Sequence, residues 1–381
     1  MQRDKIEKRK PTENKLSSLR KVMEEEKLSG LIFYSSGQLS MLEVNPVLWI
    51  SGVLPMGPNT GVVLAGSGDP TLIISLPWDE GRVREQSWIE DLRIADRFVA
   101  ELGEVISQKE IKGDIGIVGQ AFMPAAIYQG LEGLAGVRLR SADALFGSLA
   151  RLPGADALPS LERAGEVADA GFSKLLASAK VGMAEHELAA EIEYAMRAMG
   201  AEDNFGMVTA SDHNHCTHPP SGRKFKPGDI IIAEITPACG GHFVQLCRTA
   251  VMGPPSSLLR EKFGIVEEAM VKSLATVRPG NKVGAVSQAM NRVFSDHGYA
   301  EYCRPPYIRV RGHGLGFWSM PFAEMIDENE TLIEAGMDFV VHPNQYLPET
   351  GYLMLGDTVW VEKDGPRRLT RTPMKLFTIE V

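Results

Sequence analysis

Cysteine is scarce in this chain, with four residues among 381. Cys216, Cys239, Cys247 and Cys303 are scattered along the sequence. They do not form the dense disulfide framework of a small secreted domain. We therefore expect a reduced protein in the cytoplasm.

Long apolar runs and an excess of positive charge are also lacking. No apolar run approaches the roughly 20 residues that a membrane-spanning helix needs. The first residues, Met1–Lys10, are charged and contain no apolar signal-peptide core, which argues against export. A net charge of -9 argues against a nucleic-acid-binding surface. We expect neither a membrane nor a nucleic acid as a partner.

The length of the chain is sufficient for two domains. In the first part, short apolar runs bounded by Gly or Pro, such as Gly30–Tyr34 and Gly113–Val118, alternate with helical stretches. This alternation predicts a small α/β domain. Pro153-Gly154 breaks both regular structures, so we place the boundary between domains at 1–152 and 153–381.

The second part of the chain has a different pattern. Two helical stretches come first, then two strand candidates joined at a Gly-Gly turn, then a helix pair. These segments are Leu158–Ala179, Ala184–Met199, Gly228–Glu234, Phe243–Thr249, 257–276 and 283–298. Helix pairs alternating with antiparallel strands predict an α+β domain with helices on one face of a curved sheet.

Several short motifs occur in this part in a distinctive order. Glu234 and Arg248-Thr249 lie in the first strand pair, Gly312-His313-Gly314 follows downstream, and Val341-His342-Pro343 and Gly356-Asp357-Thr358-Val359 come last. This order resembles the pita-bread family of methionine aminopeptidase, aminopeptidase P, prolidase and creatinase. The resemblance covers about residues 156–381 and is looser before them. It implies an α+β pita-bread C-terminal domain with a smaller α/β creatinase-like N-terminal domain.

The resemblance also implies which positions form the active site. In the peptidases of the family, five side chains (Asp, Asp, His, Glu, Glu) hold two divalent metals. The matching positions here are Glu234, Gln245, His313, His342 and Gly356. Only the histidine is kept, and the two positions of the bridging carboxylates carry Gln and Gly. Two divalent cations need anionic oxygens, so we expect no metal and no other cofactor.

Creatinase has the same fold and hydrolyses a C–N bond without a metal ion. Our first hypothesis follows from this resemblance. We predict a metal-independent, creatinase-like hydrolase or lyase that acts on a C–N or similar bond of a small amino-acid-like or amidino substrate. His218 or His313 acts as the general base, and Glu234 orients it or serves as the acid. The segment Thr217-His218-Pro219-Pro220 is similar to a segment of creatinase.

Further side chains are expected to contact the substrate. Gln245 and His342 would hydrogen-bond to it, and His215 and Trp318 would line the pocket. Which of the neighbouring histidines 213, 215 and 218 enters the pocket stays open. Cys247 is interpreted as a small buried residue rather than a nucleophile.

Two other functions remain open at this point. One is a metal-dependent Xaa-Pro dipeptidase or aminopeptidase with altered ligands, for which Glu234, His313 and His342 are the candidate metal ligands. The other is a non-catalytic module that binds peptides or proteins. The resemblance further implies a homodimer, in which an N-terminal loop of one subunit reaches the active site of the other. Pro46–Gly57 is the candidate for that loop.

Overall fold

The structure is a computed structural model that describes residues 13–320 and 323–381. Contacts within the chain divide it into two compact units, Met1–Ala150 and Arg151–Val381. The predicted boundary lies two residues further along the chain. Across the described residues, none of the helices has both the length and the apolar character that crossing a membrane requires.

The N-terminal unit is built on a mixed six-stranded sheet. Its strands follow the order β4-β3-β2-β1-β5-β6, with β1 antiparallel to β2 and parallel to β5. The elements are α1 (Glu13–Glu25), β1 (Gly30–Ser35), α2 (Pro46–Ser51), β2 (Thr60–Ala65), β3 (Thr71–Ile74), α3 (Glu80–Gln86), β4 (Asp91–Ile94), α4 (Phe98–Gln108), β5 (Gly113–Val118), α5 (Ala125–Glu132), β6 (Val137–Ser141) and α6 (Asp143–Ala150). Apolar residues of the strands, such as Ile32 and Ile115, pack against Leu102 and Val105 of α4.

The segment predicted to be a partner-reaching loop begins instead as a buried helix. The side chain of Asn45 accepts a hydrogen bond of 2.9 Å from the backbone N–H of Leu48, Pro46 occupies the first turn, and Gly52 ends the helix in the left-handed conformation. All residues of α2 are buried. The structure therefore has a buried helix at Pro46–Ser51, where a loop was predicted.

The C-terminal unit combines a curved sheet with two helix pairs. Its main path of strands is β11-β12-β15-β10-β8-β7, with β9, β16 and β17 at its sides, and β13 and β14 form a separate hairpin. The elements are α7 (Leu158–Ser178), α8 (Glu185–Ala198), β7 (Asp203–Ser211), β8 (Ile230–Cys239), β9 (His242–Phe243), β10 (Leu246–Met252), α9 (Ser257–Thr276), α10 (Val283–Asp296), β11 (Gly312–Gly314), β12 (Asp338–Val341), β13 (Gln345–Leu347), β14 (Gly351–Leu353), β15 (Gly356–Glu362), β16 (Gly365–Arg368) and β17 (Phe377–Ile379).

The packing of β8 determines which face of the sheet carries the site. Ile231, Ala233 and Ile235 pack with residues of α7 and α8 in one hydrophobic cluster. Successive side chains of a strand point to opposite faces. The carboxylate of Glu234 is therefore directed away from these two helices.

A buried ion pair fixes the register between β10 and β15. The guanidinium of Arg248 donates to the carboxylate oxygens of Asp357 at 3.0 and 3.1 Å, and both side chains are inaccessible to solvent. Leu246 pairs with Asp357, and Cys247 pairs with Gly356. Asp357 is thus committed to Arg248 and does not take the place of the carboxylate that Gly356 lacks.

Candidate active site

The candidate site is a row of residues that crosses neighbouring strands. Glu234 on β8 pairs with Cys247 on β10, and Cys247 pairs with Gly356 on β15. A Cβ atom placed on Gly356 would lie 3.2 Å from the Cβ of Cys247 and 2.7 Å from the Cβ of His342. These side chains therefore lie on one face of the sheet. The second distance also shows that the backbone leaves no room for a side chain at Gly356.

Glu234 is the carboxylate of this row. It is half-buried, unlike its neighbours on β8. In the described part of the chain, its hydrogen-bond contact is a weak one from the Sγ of Cys247, at 4.0 Å from Oε2. Desolvation by the surrounding protein raises the pKa of Glu234 to about 7, because burial disfavours the charged form of a carboxylate.

Cys247 lies between Glu234 and Gln245. The Nε2 of Gln245 donates to the Sγ of Cys247 at 3.4 Å, and the Oε1 of Gln245 has no partner among the described residues. Burial, followed by the charge of Glu234, raises the pKa of the Cys247 thiol well above its usual range. A nucleophilic cysteine needs its thiolate form, so this thiol is a packing residue.

His313 is held in a defined orientation by the backbone. Its Nδ1 lies 2.9 Å from the carbonyl oxygen of Gly314 and 3.2 Å from the Oγ of Ser319. Donation from Nδ1 to the carbonyl leaves the lone pair on Nε2. Burial lowers the pKa of His313. The residue before His313 has to be glycine, because a Cβ atom on Gly312 would lie 2.2 Å from the carbonyl oxygen of Val340.

His342 lies beside His313, with the ring centroids 5.8 Å apart. Burial and, to a smaller extent, the charge of His313 lower the pKa of His342 to about 3. The imidazole is therefore neutral near neutral pH. Its Nδ1 is buried and has no hydrogen-bond partner in the residues that the structure describes.

Sequence reasoning missed two buried groups next to this row. The pKa of Tyr352 is raised by burial and by the charge of Glu234. The guanidinium of Arg311 is almost inaccessible to solvent and donates to Asn291, Asn344 and Gln345 at 2.8 Å each. A Tyr in a short hairpin and an Arg before a glycine carry no signal of burial in a single sequence.

Asp338 is another buried carboxylate that the sequence did not reveal. Asp338 is the first residue of β12, and His342 directly follows the last one. The carboxylate oxygens of Asp338 have no hydrogen-bond partner among the described residues. Burial raises the pKa of Asp338 to about 7. A Cβ atom on Gly316 would lie 3.3 Å from its Oδ1, which places Asp338 beside the loop that follows His313.

The other predicted site residues have different surroundings. His218 is exposed, and its Nδ1 contacts the neighbouring carbonyl oxygen of Pro219 at 2.8 Å. His215 is also exposed and stacks on Tyr346, with ring centroids 6.0 Å apart. Trp318 is buried. The main chain of His218 exchanges hydrogen bonds with the Oγ1 of Thr209 on β7, at 2.9 and 3.1 Å. The described contacts of its imidazole do not include Glu234 or His313.

These residues do not fit a centre of two divalent metal ions. The five matching positions supply a single carboxylate, and Gly356 has no space for another. Among residues 13–320 and 323–381, no group of three or more His, Cys, Asp or Glu side chains has the geometry of a metal site. The alternative ligand set of Glu234, His313 and His342 is therefore not supported either.

Comparisons with known proteins identify the family. The model of metallopeptidase family M24 matches residues 159–363, which is more than half of the chain. The chain belongs to metallopeptidase family M24. The model of the creatinase/prolidase N-terminal domain matches residues 15–149. This assignment confirms the predicted family and the prediction of a hydrolase within it, and it leaves the reaction open.

Similar proteins extend this result over almost the whole chain. An Xaa-Pro dipeptidase of Pyrococcus horikoshii is 24% identical over 342 residues, which cover 88% of this chain and 93% of that protein. The crystal structure of the prolidase from the same organism matches with a TM-score of 0.83 at 22% identity, covering 94% of this chain and 99% of that one. An X-Pro aminopeptidase of Thermotoga maritima gives a TM-score of 0.83 at 19% identity, covering 96% and 99%. The predicted pita-bread fold with a creatinase-like N-terminal domain is confirmed.

The predicted reaction is corrected by the same comparisons. The hypothesis of a metal-independent, creatinase-like hydrolase or lyase is wrong, because the full-length relatives are Xaa-Pro dipeptidases of a metallopeptidase family. The hypothesis gave the lost ligands more weight than the similarity along the rest of the chain. The family is one of metallopeptidases, but four of the five positions that hold metal ions in its peptidases carry other residues in this chain.

Proposed function

We propose that this chain is a peptidase that hydrolyses short peptides with proline in the second position. The observation that carries the proposal is the similarity to Xaa-Pro dipeptidases over 88% of the chain. A likeness that extends through both units supports a shared substrate class more strongly than a single motif does.

The polar groups of this row support a substrate that is a small peptide. Glu234, Gln245 and His342 offer carboxylate, amide and imidazole groups on one face of the sheet, and His313 directs its Nε2 lone pair from a fixed ring. A few polar groups in an otherwise apolar surround are typical of sites that orient small ligands. Cleavage would take place next to these groups.

Measurement of proline release tests the proposal directly. Purified protein is incubated with Ala-Pro, Ala-Ala and Pro-Ala, in parallel with added Mn²⁺, Co²⁺ or Zn²⁺ and with a chelator. We expect proline release from Ala-Pro to exceed cleavage of the other dipeptides under at least one condition. Equal cleavage of all three peptides, or tight binding of Ala-Pro without turnover under every condition, would contradict the proposal.

We also propose that the protein works as a cytoplasmic homodimer. The scattered cysteines support the cytoplasm, and the family resemblance supports the dimer. Light scattering coupled to size-exclusion chromatography should give twice the mass of the 41.6 kDa chain. A mass of one chain at micromolar concentration would contradict the dimer.

A further inference from the structure

Arg311 is a buried cation whose hydrogen-bond acceptors are all neutral oxygens. The residue is 2% exposed, and its guanidinium donates to one backbone carbonyl and two side-chain amides, at 2.8 Å each. A buried charge is costly unless an opposite charge lies beside it. An ion pair therefore does not account for this arginine, and the segments that its bonds connect become informative.

The guanidinium connects helix α10 with the segment that follows β12. Its Nε donates to the Oδ1 of Asn291, and the centroid of the Phe294 ring lies 4.8 Å from its Cζ, both on α10. Its Nη1 donates to the carbonyl oxygen of Asn344, and its Nη2 donates to the Oε1 of Gln345. A guanidinium presents its donors in a rigid planar fork, so it fixes the distance between these two parts of the unit.

The main chain of Arg311 binds the first residue of the same segment. The backbone N–H of His342 donates to the carbonyl oxygen of Arg311 at 3.1 Å. On its other side, the Oδ1 of Asn344 accepts a hydrogen bond of 3.1 Å from the backbone N–H of Leu355, the residue before β15. The segment that begins at His342 is therefore held between Arg311 and the start of β15.

The His342 side chain has little freedom to move independently of this segment. A Cβ atom on Gly356 would lie 2.7 Å from the Cβ of His342, and the ring of His313 lies beside it, with the centroids 5.8 Å apart. The place of the His342 ring thus depends on where Arg311 holds its backbone. Such placement matters at an active site, because a shift of about 1 Å can lower a rate on the order of 100-fold.

We propose that Arg311 is a positioning residue, whose guanidinium places the His342 imidazole beside His313. It acts through His342 rather than on the substrate, because each of its three nitrogen atoms is bonded to a protein oxygen. Its effect on catalysis rests on the proposed peptidase function. The placement itself is a property of the free protein and can be measured without turnover.

Two variants separate the bonds of Arg311 from its charge. Arg311→Met removes both, whereas Arg311→Lys keeps the charge but replaces the planar fork by a single nitrogen. NMR of histidine-labelled protein measures the nuclear Overhauser contact between the rings of His313 and His342, assigned with His313→Gln and His342→Gln. We expect this contact to be lost in Arg311→Met and weakened in Arg311→Lys.

Proline release from Ala-Pro measures the consequence for catalysis. We expect kcat/KM to fall by about 10- to 100-fold in Arg311→Met, with partial recovery in Arg311→Lys. Arg292→Met is the matched control, because Arg292 is exposed on α10 next to Asn291. It should leave both the ring contact and kcat/KM unchanged. Thermal melting verifies the fold of each variant, and Arg311→Lys supplies the comparison if Arg311→Met does not fold.

Several outcomes would overturn this role of Arg311. They are an absent ring contact in wild type, an unchanged contact in a folded Arg311 variant, an unchanged kcat/KM despite loss of the contact, and failure of both Arg311 variants to fold. Similar changes in the signals of all eight histidines would also overturn it, because they indicate a general loss of structure. If wild type releases no proline but the contact depends on Arg311, the placement stands and the proposed function fails.

Discussion

Glu234 and Asp338 show how a single residue responds to its surroundings on this sheet. Each has a pKa raised to about 7, and the first cause in each case is desolvation rather than a neighbouring charge. Glu234 keeps partial contact with solvent, whereas Asp338 is 2% exposed. The effect of burial on stability should therefore be clearest at Asp338.

Substitution of Asp338 by Asn should change how stability depends on pH. Its folded-state pKa of about 7 lies above the ordinary value of 3.8, so the folded protein holds a proton that the unfolded chain releases between these values. The contribution of Asp338 to the wild-type free energy of unfolding should thus be most favourable below about pH 4 and fall until about pH 7. Asp338→Asn should match wild type in acid and exceed it above neutrality, on the order of 2–4 kcal/mol.

Urea denaturation of both proteins across this pH range measures the difference. Subtraction of the two curves removes the contributions of the other titrating groups. A constant difference at every pH would contradict the raised pKa of Asp338.

Cys247 should be inert toward thiol reagents in the folded protein. Its thiol is buried and its pKa is raised well above the usual range, whereas Cys216 is exposed. Iodoacetamide labelling followed by peptide mass spectrometry should show rapid modification of Cys216 and none of Cys247 before unfolding. Modification of both residues at similar rates would contradict this assignment.

At the residue scale, the sequence predicted the identity of the row but not its environment. The resemblance of their motifs to the pita-bread family implied that Glu234, Gln245, His313 and His342 belong to one site. The catalytic role of His218 stays a prediction, because a loop rich in His and Pro gives no information about where its side chains point. The burial of Asp338, Arg311 and Tyr352 depends on contacts with distant segments, which a single sequence does not display.

The first residue of β15, Gly356, lies against His342, which directly follows β12. A Cβ atom on Gly356 would lie 2.7 Å from the Cβ of His342, a distance that requires one strand to move. Restoring a carboxylate at Gly356 would therefore require a change in the backbone as well as in the side chain. The loss of this metal ligand is built into the spacing of the two strands.

Substitution of Gly356 by Ala should destabilise the protein. The added methyl group overpacks a rigid strand pair, and such substitutions typically cost about 1–3 kcal/mol. Urea denaturation measures the free energy of unfolding. Gly264→Ala is the matched control, because a Cβ atom there meets nothing within 4 Å on helix α9, and alanine should stabilise it by about 0.5–1 kcal/mol. Equal stability of Gly356→Ala and wild type would show that the strands are not in close contact.

The ion pair of Arg248 and Asp357 should contribute strongly to the connection of β10 and β15. Asp357→Asn leaves the guanidinium of Arg248 buried without its partner carboxylate, which should cost about 3–5 kcal/mol. The control is Glu162→Gln, which removes an exposed partner of Arg367 and should cost less than about 1 kcal/mol. Comparable losses in the two variants, measured by chemical denaturation, would contradict a special role of the buried pair.

At the element scale, the sequence predicted what depends on local pattern. The helices Leu158–Ser178 and Ser257–Thr276 and the strand Gly113–Val118 agree closely with their predicted bounds, because periodicity and flanking Gly or Pro define them. Helix α2 was missed although Asn45-Pro46 and Gly52 are typical start and stop signals. A run of six residues was too short for periodicity to indicate a helix.

The whole molecule retains the frame of a metallopeptidase family while its site has changed. Both units match their family models, and the register of β8, β10 and β15 is fixed by packing and by a buried ion pair rather than by the site residues. The fold can therefore persist when site residues are replaced. The proposed substrate class rests on the likeness of both units to Xaa-Pro dipeptidases.

The central claim is that the row beginning at Glu234 is the active site of an Xaa-Pro peptidase. The most direct test measures proline release from Ala-Pro by wild type, Glu234→Gln and Glu267→Gln. Glu267 is a half-buried glutamate on α9, away from the row. Wild type and Glu267→Gln should release proline at the same rate. For Glu234→Gln, kcat/KM should fall by about 10- to 100-fold, since a charge-assisted hydrogen bond contributes about 1.5–3 kcal/mol. Equal rates for wild type and a folded Glu234→Gln variant, or no proline release by wild type, would contradict the claim.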